Sequence, residues 1–171
     1  MFEYIKKYKI ENFAEFQDKV LIAIDMIKDE HECLYAKMSH SDYKVDAKPL
    51  YHDLVMKAIE PMLLDYIQQW RCDDWEMQNV WFAEYHDGAD FDYHCHEGCN
   101  MSGVIQLVLD NPKYGTTIMN HKTDLEEGDV IMFPAMLPHK SPYVEEGSKI
   151  VVGFNWNMVG STASSSLRGD V

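Results

Sequence analysis

The sequence predicts an α+β fold, mainly β, in which N-terminal helices pack against a β-sandwich or barrel. Three observations carry this reading. Two stretches of helical periodicity precede Trp70. After Cys72 the texture changes to short segments rich in Val, Ile and aromatics. Turn signals then separate those segments at near-regular spacing.

The elements follow in order. Residues 3–10 alternate loosely and fit an edge strand. Residues 11–28 place Phe13, Phe16, Val20, Ile24 and Ile27 on one helical stripe, with Asn12 as the N-cap. Residues 40–47 are polar and turn-like. A second helical pattern covers 49–70, with Leu50, Leu54, Ala58, Leu63, Tyr66 and Ile67 on one stripe. Pro61 lies inside it and predicts a kink or a division into two helices. Strands are expected over 79–86, 102–109, 115–119, 129–133, 139–143 and 149–156. The turns between them include Asp87-Gly88, Asp110-Asn111-Pro112, Glu127-Gly128-Asp129 and Glu146-Gly147. One domain is expected over 1–159, with a helical part at about 11–71 and a barrel at about 79–157. A loose polar tail covers 160–171, and its Arg-Gly-Asp is read as ordinary terminal sequence.

Composition narrows the function classes. A chain of 171 residues buries roughly 70% of its unfolded surface and needs no covalent staples. The 29 acidic residues against 15 basic ones repel phosphate backbones and anionic lipid, so neither nucleic acid nor a membrane is the expected partner. Cys33, Cys72, Cys95 and Cys99 form no regular framework, the N-terminus lacks a signal-peptide pattern, and no apolar run spans a bilayer. A cytoplasmic location with reduced thiols is the expectation. A small-molecule or peptide substrate fits this surface, and a homodimer is among the assemblies it allows.

The chemistry concentrates in the histidines. In an extended Tyr93-His94-Cys95-His96 segment, side chains alternate with period two, so His94 and His96 point to one side and can share a metal. His139 follows a proline-rigidified loop, Phe133 to Pro138, and opens another strand. A third ligand from a distant strand completes a facial site that leaves the opposite positions open. Lys149 heads an apolar strand ten residues later. A cation pointing into a barrel is costly unless it meets an anion, which a bound organic acid would supply. If Lys149 points inward, so do Val151, Gly153 and Asn155, with Gly153 leaving room for a ligand and Asn155 either beside it or satisfying backbone.

Other ligand sets stay open. Asp92 shares strand parity with His94, and Glu97 reaches the site only through a bulge. A zinc site using Cys95 and Cys99 is weighed against Cys95 as a small core residue. His31, His40, His52, His86 and His121 read as surface histidines. Asp129 reads as a turn residue, Met132 as core and Met136 as loop packing. Trp81, Phe82 and Tyr85 read as core, with one face of their strand available to a pocket.

The run from His94 to Val104 (HCHEGCNMSGV) resembles the H-x-H-x5-S-G-V signature of a 2-oxoglutarate/iron(II)-dependent oxygenase family of marine bacteria and phages. The run from Gly128 to His139 is similar to its G-D-x-I-x-F-P-S-x-L-x-H segment. Lys149 through Asn155 is similar to its R-x-S-x-S-F-N strand. The resemblance implies a double-stranded β-helix (jelly-roll) fold. It implies iron(II) held by His94, His96 and His139, and 2-oxoglutarate whose far carboxylate meets Lys149. No catalytic residue beyond the metal ligands is singled out. Three departures stand out. Lys149 replaces the family's arginine and offers a point charge in place of a bidentate fork. Val151 replaces a serine. Ile105-Gln106 replaces a tyrosine pair, so Gln106 either donates to a cosubstrate carboxylate or faces solvent.

The expected function is therefore a 2-oxoglutarate- and Fe(II)-dependent dioxygenase that hydroxylates a small molecule or peptide side chain. Two competitors stand beside it. One is a cupin-like three-histidine dioxygenase without 2-oxoglutarate. The other is a non-catalytic jelly-roll binding module, for which Lys149 would pair with a neighbouring Glu.

Overall fold

A computed structural model describes residues 4–28, 38–43, 45 and 47–160. His31, Cys33 and the tail beyond Gly160 lie outside the described residues. The elements in order are β1 (Lys6–Lys9), α1 (Phe13–Asp25), β2 (His40–Ser41), α2 (His52–Gln69), β3 (Cys72–Tyr85), β4 (Phe91–His94) and β5 (Met101–Leu109). They continue with β6 (Thr117–Ile118), β7 (His121–Lys122), β8 (Asp129–Pro134), β9 (His139–Ser141) and β10 (Lys149–Gly160). A short 3-10 turn, Pro112–Tyr114, precedes β6.

Two sheets form. One runs β1-β8-β5-β10-β3-β2 and the other β4-β9-β6-β7. Every pairing is antiparallel. From β3 to β10 the chain passes back and forth between the sheets, which is the double-stranded β-helix the sequence led us to expect. The central strands of the larger sheet are buried on both faces, so β5 and β8 read as continuous apolar runs.

Two cores result. On the outer face of the larger sheet, Val20 and Ile24 of α1 and Ile59, Leu63 and Tyr66 of α2 pack onto Phe82, Ile105, Val152, Phe154 and Trp156. Between the sheets, Ala83, Tyr85, Val104, Ile131, Phe133 and Val151 form the second core, and the same space opens into the candidate site. Strand parity decides which side chain joins which core.

Pro61 does not divide α2, one of the two outcomes expected of it; the helix runs from His52 to Gln69. Pro61 and Lys57, whose carbonyl loses its partner, both lie on the solvent face, where water can satisfy that carbonyl. Asn12 occupies the N-cap position of α1 but makes no side-chain cap bond. Its backbone is left-handed (φ 50°), and its carbonyl accepts from Glu15 and Phe16 N–H instead. Asp129 does more than turn the chain. Its buried carboxylate accepts from Glu126 N–H and lies 3.2 Å from both Lys7 and Lys9, which pins the edge strand β1 to β8.

Gly103 has a packing reason. A Cβ there would sit 2.0 Å from the Phe154 ring, directly across the β5–β10 pair. Gly103→Ala is expected to destabilise the fold by about 1–3 kcal/mol, the usual cost of overpacking. Urea unfolding checks this, and an unchanged midpoint would contradict it.

Candidate metal centre

The antiparallel β4–β9 pair sets His94 directly opposite His139. β4 ends at His94, so His96 is placed by a loop and not by a ladder; its N–H donates to Ala135 C=O at 3.1 Å. The three rings converge, with centroids 5.2 Å apart for His94–His96, 4.2 Å for His94–His139 and 4.8 Å for His96–His139. One nitrogen from each lies within 4.8 Å of the others.

Each ring is held through Nδ1. His94 Nδ1 donates to Asp92 C=O at 2.9 Å, and His139 Nδ1 to Leu137 C=O at 3.1 Å. His96 Nδ1 meets Asn155 Oδ1 at 2.5 Å and Ser102 Oγ at 3.0 Å. A carbonyl oxygen only accepts, so the proton sits on Nδ1 and the Nε2 lone pair is left for a metal. Burial also keeps the rings neutral. It pulls His139 down to about 3, helped by His94 and His96, and it lowers His94 and His96 too.

A cavity of about 260 Å³ leads from these rings to Lys149. Lys149 is fully buried. Its Nζ donates to Ser141 Oγ at 2.9 Å and lies 5.5 Å from the centre of the Tyr85 ring. Among the described residues no carboxylate pairs with it, and burial draws its pKa down to about 7. A larger groove, about 730 Å³, lies between β1 and the two helices, but it contains no histidine and no buried cation. Chemistry, not size, marks the smaller cavity as the site.

The remaining candidates sort by position. Val151 lines the cavity as strand parity requires. Gly153 also faces inward, but the space beside it is filled: a Cβ there would lie 2.4 Å from the Trp81 indole. Gly153 therefore makes room for Trp81, which tilts against His96 at 5.4 Å and forms part of the wall. Asn155 stands behind His96 and not on the wall. It orients that ring, and Ser102 Oγ donates to it at 2.8 Å. Gln106 is fully buried, which removes the solvent-facing alternative. Its Nε2 donates to Thr116 Oγ1 at 3.3 Å, and its Oε1 has no partner. Thr116 stands between it and the cavity as a lining residue.

The other ligand sets are not assembled. The Asp92 carboxylate caps Tyr93 N–H, and Glu97 is solvent-exposed. Cys95 is exposed, not core. The strand ends before it, and its Sγ faces Met136 C=O on the cavity wall. Met136 itself is 77% exposed and packs little. Sequence reasoning missed Ser141 and Thr116. Ser141 was within reach, because it lies two residues after His139 on the same strand and so shares its face.

No family model matches the sequence, and no protein of curated function is matched by sequence. Solved structures do match in shape. A viral collagen prolyl hydroxylase from Paramecium Bursaria Chlorella virus-1, solved with 2-oxoglutarate, aligns over 90% of this chain and 96% of its own, at 15% identity and TM-score 0.67. A prolyl-4-hydroxylase from Pseudomonas putida aligns over 89% and 91%, at 14% identity and TM-score 0.63. HygX from Streptomyces hygroscopicus, solved with nickel, 2-oxoglutarate and hygromycin B, aligns over 97% and 90%, at 11% identity and TM-score 0.69. The chain thus has the double-stranded β-helix fold of these oxygenases, along nearly its whole described length.

Proposed function

We propose that the protein is a 2-oxoglutarate- and Fe(II)-dependent oxygenase that hydroxylates a small molecule or a peptide side chain. One observation carries the reading. A fully buried lysine without a carboxylate partner closes one end of a cavity, and three neutral imidazoles with free lone pairs close the other. A dicarboxylate that chelates a metal through its keto-acid end answers both. The fold shared with oxygenases solved with 2-oxoglutarate supports it, as does the run of motifs from His94 to Asn155. So do the molecules those structures name, collagen for the viral prolyl hydroxylase and hygromycin B as the molecule bound in HygX.

The donor set fits iron(II): His94, His96 and His139 would hold it, and imidazole suits that metal. The iron and 2-oxoglutarate together supply oxygen activation for insertion into a substrate C–H bond. The protein's part is electrostatic and steric. Asp92 C=O, Leu137 C=O and Asn155 fix the rings. Lys149 offers a dry positive charge with Ser141 beside it. Trp81, Phe91, Val104 and Val151 exclude water around the site.

Anaerobic addition of iron(II) and 2-oxoglutarate is expected to give a visible metal-to-ligand charge-transfer band. No band with the folded protein would count against the proposal. The absence of any carboxylate in the triad favours a second reading, a three-histidine dioxygenase without 2-oxoglutarate. Oxygen uptake that yields no succinate would select it. The binding-module reading anticipated a Lys149–Glu pair, and Lys149 bonds Ser141 instead.

A further inference from the structure

A second set of metal-ligating groups lies on the far side of β3 from the cavity. His40 pairs across the β2–β3 ladder with Glu84, and its Nδ1 is 2.8 Å from Glu84 Oε2. His86 Nε2 lies 3.4 Å from Glu84 Oε1. One atom from each of the three residues falls within 4.8 Å of the others. The Glu84 carboxylate is buried, at 5% exposure, and among the described residues it meets two imidazoles and no lysine or arginine.

We propose that His40, Glu84 and His86 form a second site for a divalent transition cation of the zinc type. Metal–nitrogen and metal–oxygen bonds of about 2.0–2.2 Å put neighbouring ligand atoms in a tetrahedral site roughly 3.3 Å apart. His40 Nδ1 lies 2.8 Å from one Glu84 oxygen, His86 Nε2 lies 3.4 Å from the other, and one donor atom from each residue lies within 4.8 Å of the others, so small side-chain rotations bring three donors to that spacing. Two imidazoles with one carboxylate is a donor set that suits such cations. The backbone already fixes the groups. Ser39 N–H donates to Glu84 C=O at 2.9 Å, and Ala89 N–H donates to His86 C=O at 2.9 Å in a turn through Gly88. The cation takes the place of the hydrogen bond between His40 Nδ1 and Glu84. The strongly acidic chain favours it further.

The site bears on the cavity through the backbone. Met38 and Tyr43 flank His40 and line the cavity, as do Ala83 and Tyr85 on either side of Glu84. A cation held here ties the 38–43 segment to β3 and so fixes one cavity wall. Its role is distinct from that of the triad.

Metal analysis after dialysis against zinc(II) equal to twice the protein concentration tests it. Wild type is expected to hold two equivalents. His139→Ala should keep one and His86→Ala should lose one, and His86 sits in an exposed turn where folding tolerates the change. In melting curves, zinc should raise the midpoint of His139→Ala and leave the His86→Ala/His139→Ala double variant unmoved. Equal zinc content in wild type and His86→Ala, whatever the wild-type total, overturns the second site. These outcomes are separate from those of the oxygenase proposal, since a failed triad removes the equivalent that does not depend on His86.

Discussion

Lys149→Met is expected to abolish 2-oxoglutarate binding while making the ligand-free protein harder to unfold. The two effects share one cause. Lys149 is fully buried, its polar partner among the described residues is the Ser141 hydroxyl, and burial pulls its pKa down to about 7. In the unfolded chain the group titrates near 10.4, so folding sets a solvated ammonium into an apolar wall. An unbranched apolar side chain of similar volume removes that cost; even where a buried ion pair is replaced in this way, the change is often neutral or a gain on the order of 1–4 kcal/mol. The dicarboxylate, in contrast, would lose its buried counter-charge. Removing one partner of a buried pair costs about 3–5 kcal/mol, or roughly a hundred- to several-thousandfold in affinity. The sign with pH is fixed as well. Between pH 7 and about 10 the unfolded state binds a proton at Lys149 that the folded state does not, so wild-type stability rises with pH there. The variant loses that slope. Urea unfolding at pH 7 and 9.5, with calorimetric titration of 2-oxoglutarate, measures all three effects. A Lys149→Met protein that binds 2-oxoglutarate as wild type does would remove Lys149 from the cosubstrate site.

Much of this site could be read from strand periodicity. Lys149, Val151 and Gly153 face inward because β10 keeps its alternation along that stretch, and a single inward residue determines the others. The pairing of His94 with His96 was also anticipated, but for an incomplete reason. The strand stops at His94, and the Ala135 carbonyl, far along the chain, holds His96 in place. Where the reading failed, a distant partner decided the outcome. Gly153 looked like space for a ligand until Trp81, across the β10–β3 ladder, filled it. Asn155 looked like a cosubstrate contact, yet a bulge after it and the nearby Ser102 turn it toward His96. Such pairings follow from register, which no local pattern displays.

The fold shows the same division. The alternation Asp74-Trp75-Glu76-Met77-Gln78 is a strand signal with its charges facing solvent, and it extends β3 back to Cys72. It was hidden by its acidic content and by its position directly behind a helix, where Arg71 at positive φ reverses the chain. The two-residue strands β2 and β7 carry no period at all and exist only through their partners. β2 is also the strand that delivers His40 to Glu84, which is why His40 and His86 read as ordinary surface histidines.

His139→Leu is expected to cost the protein the metal held by the three histidines and, at the same time, part of its sensitivity to acid. Metal loss follows from geometry. His139 is one of three convergent rings, and it lies directly opposite His94 in the ladder. The acid effect follows from burial. In the metal-free protein His139 is held down to about 3, while an unfolded histidine titrates near 6.5. Between those values the unfolded chain carries a proton that the folded chain refuses, so stability falls as pH falls, by about 1.4 kcal/mol per pH unit from this ring alone. His94 and His96 are lowered as well and add to the slope. Leucine keeps an apolar contact against Phe133, whose ring centre lies 4.7 Å from that of His139, and removes the proton site. Unfolding free energies of metal-free wild type and variant at pH 7 and pH 5 should therefore converge toward the acid side, with the variant showing the shallower decline. Bound iron(II) should protect wild type at pH 7, because it stabilises only the folded chain, and should protect the variant less, by the share held at the three histidines. Parallel pH profiles would mean that His139 is not buried neutral, and the tautomer argument for a free Nε2 would fall with it.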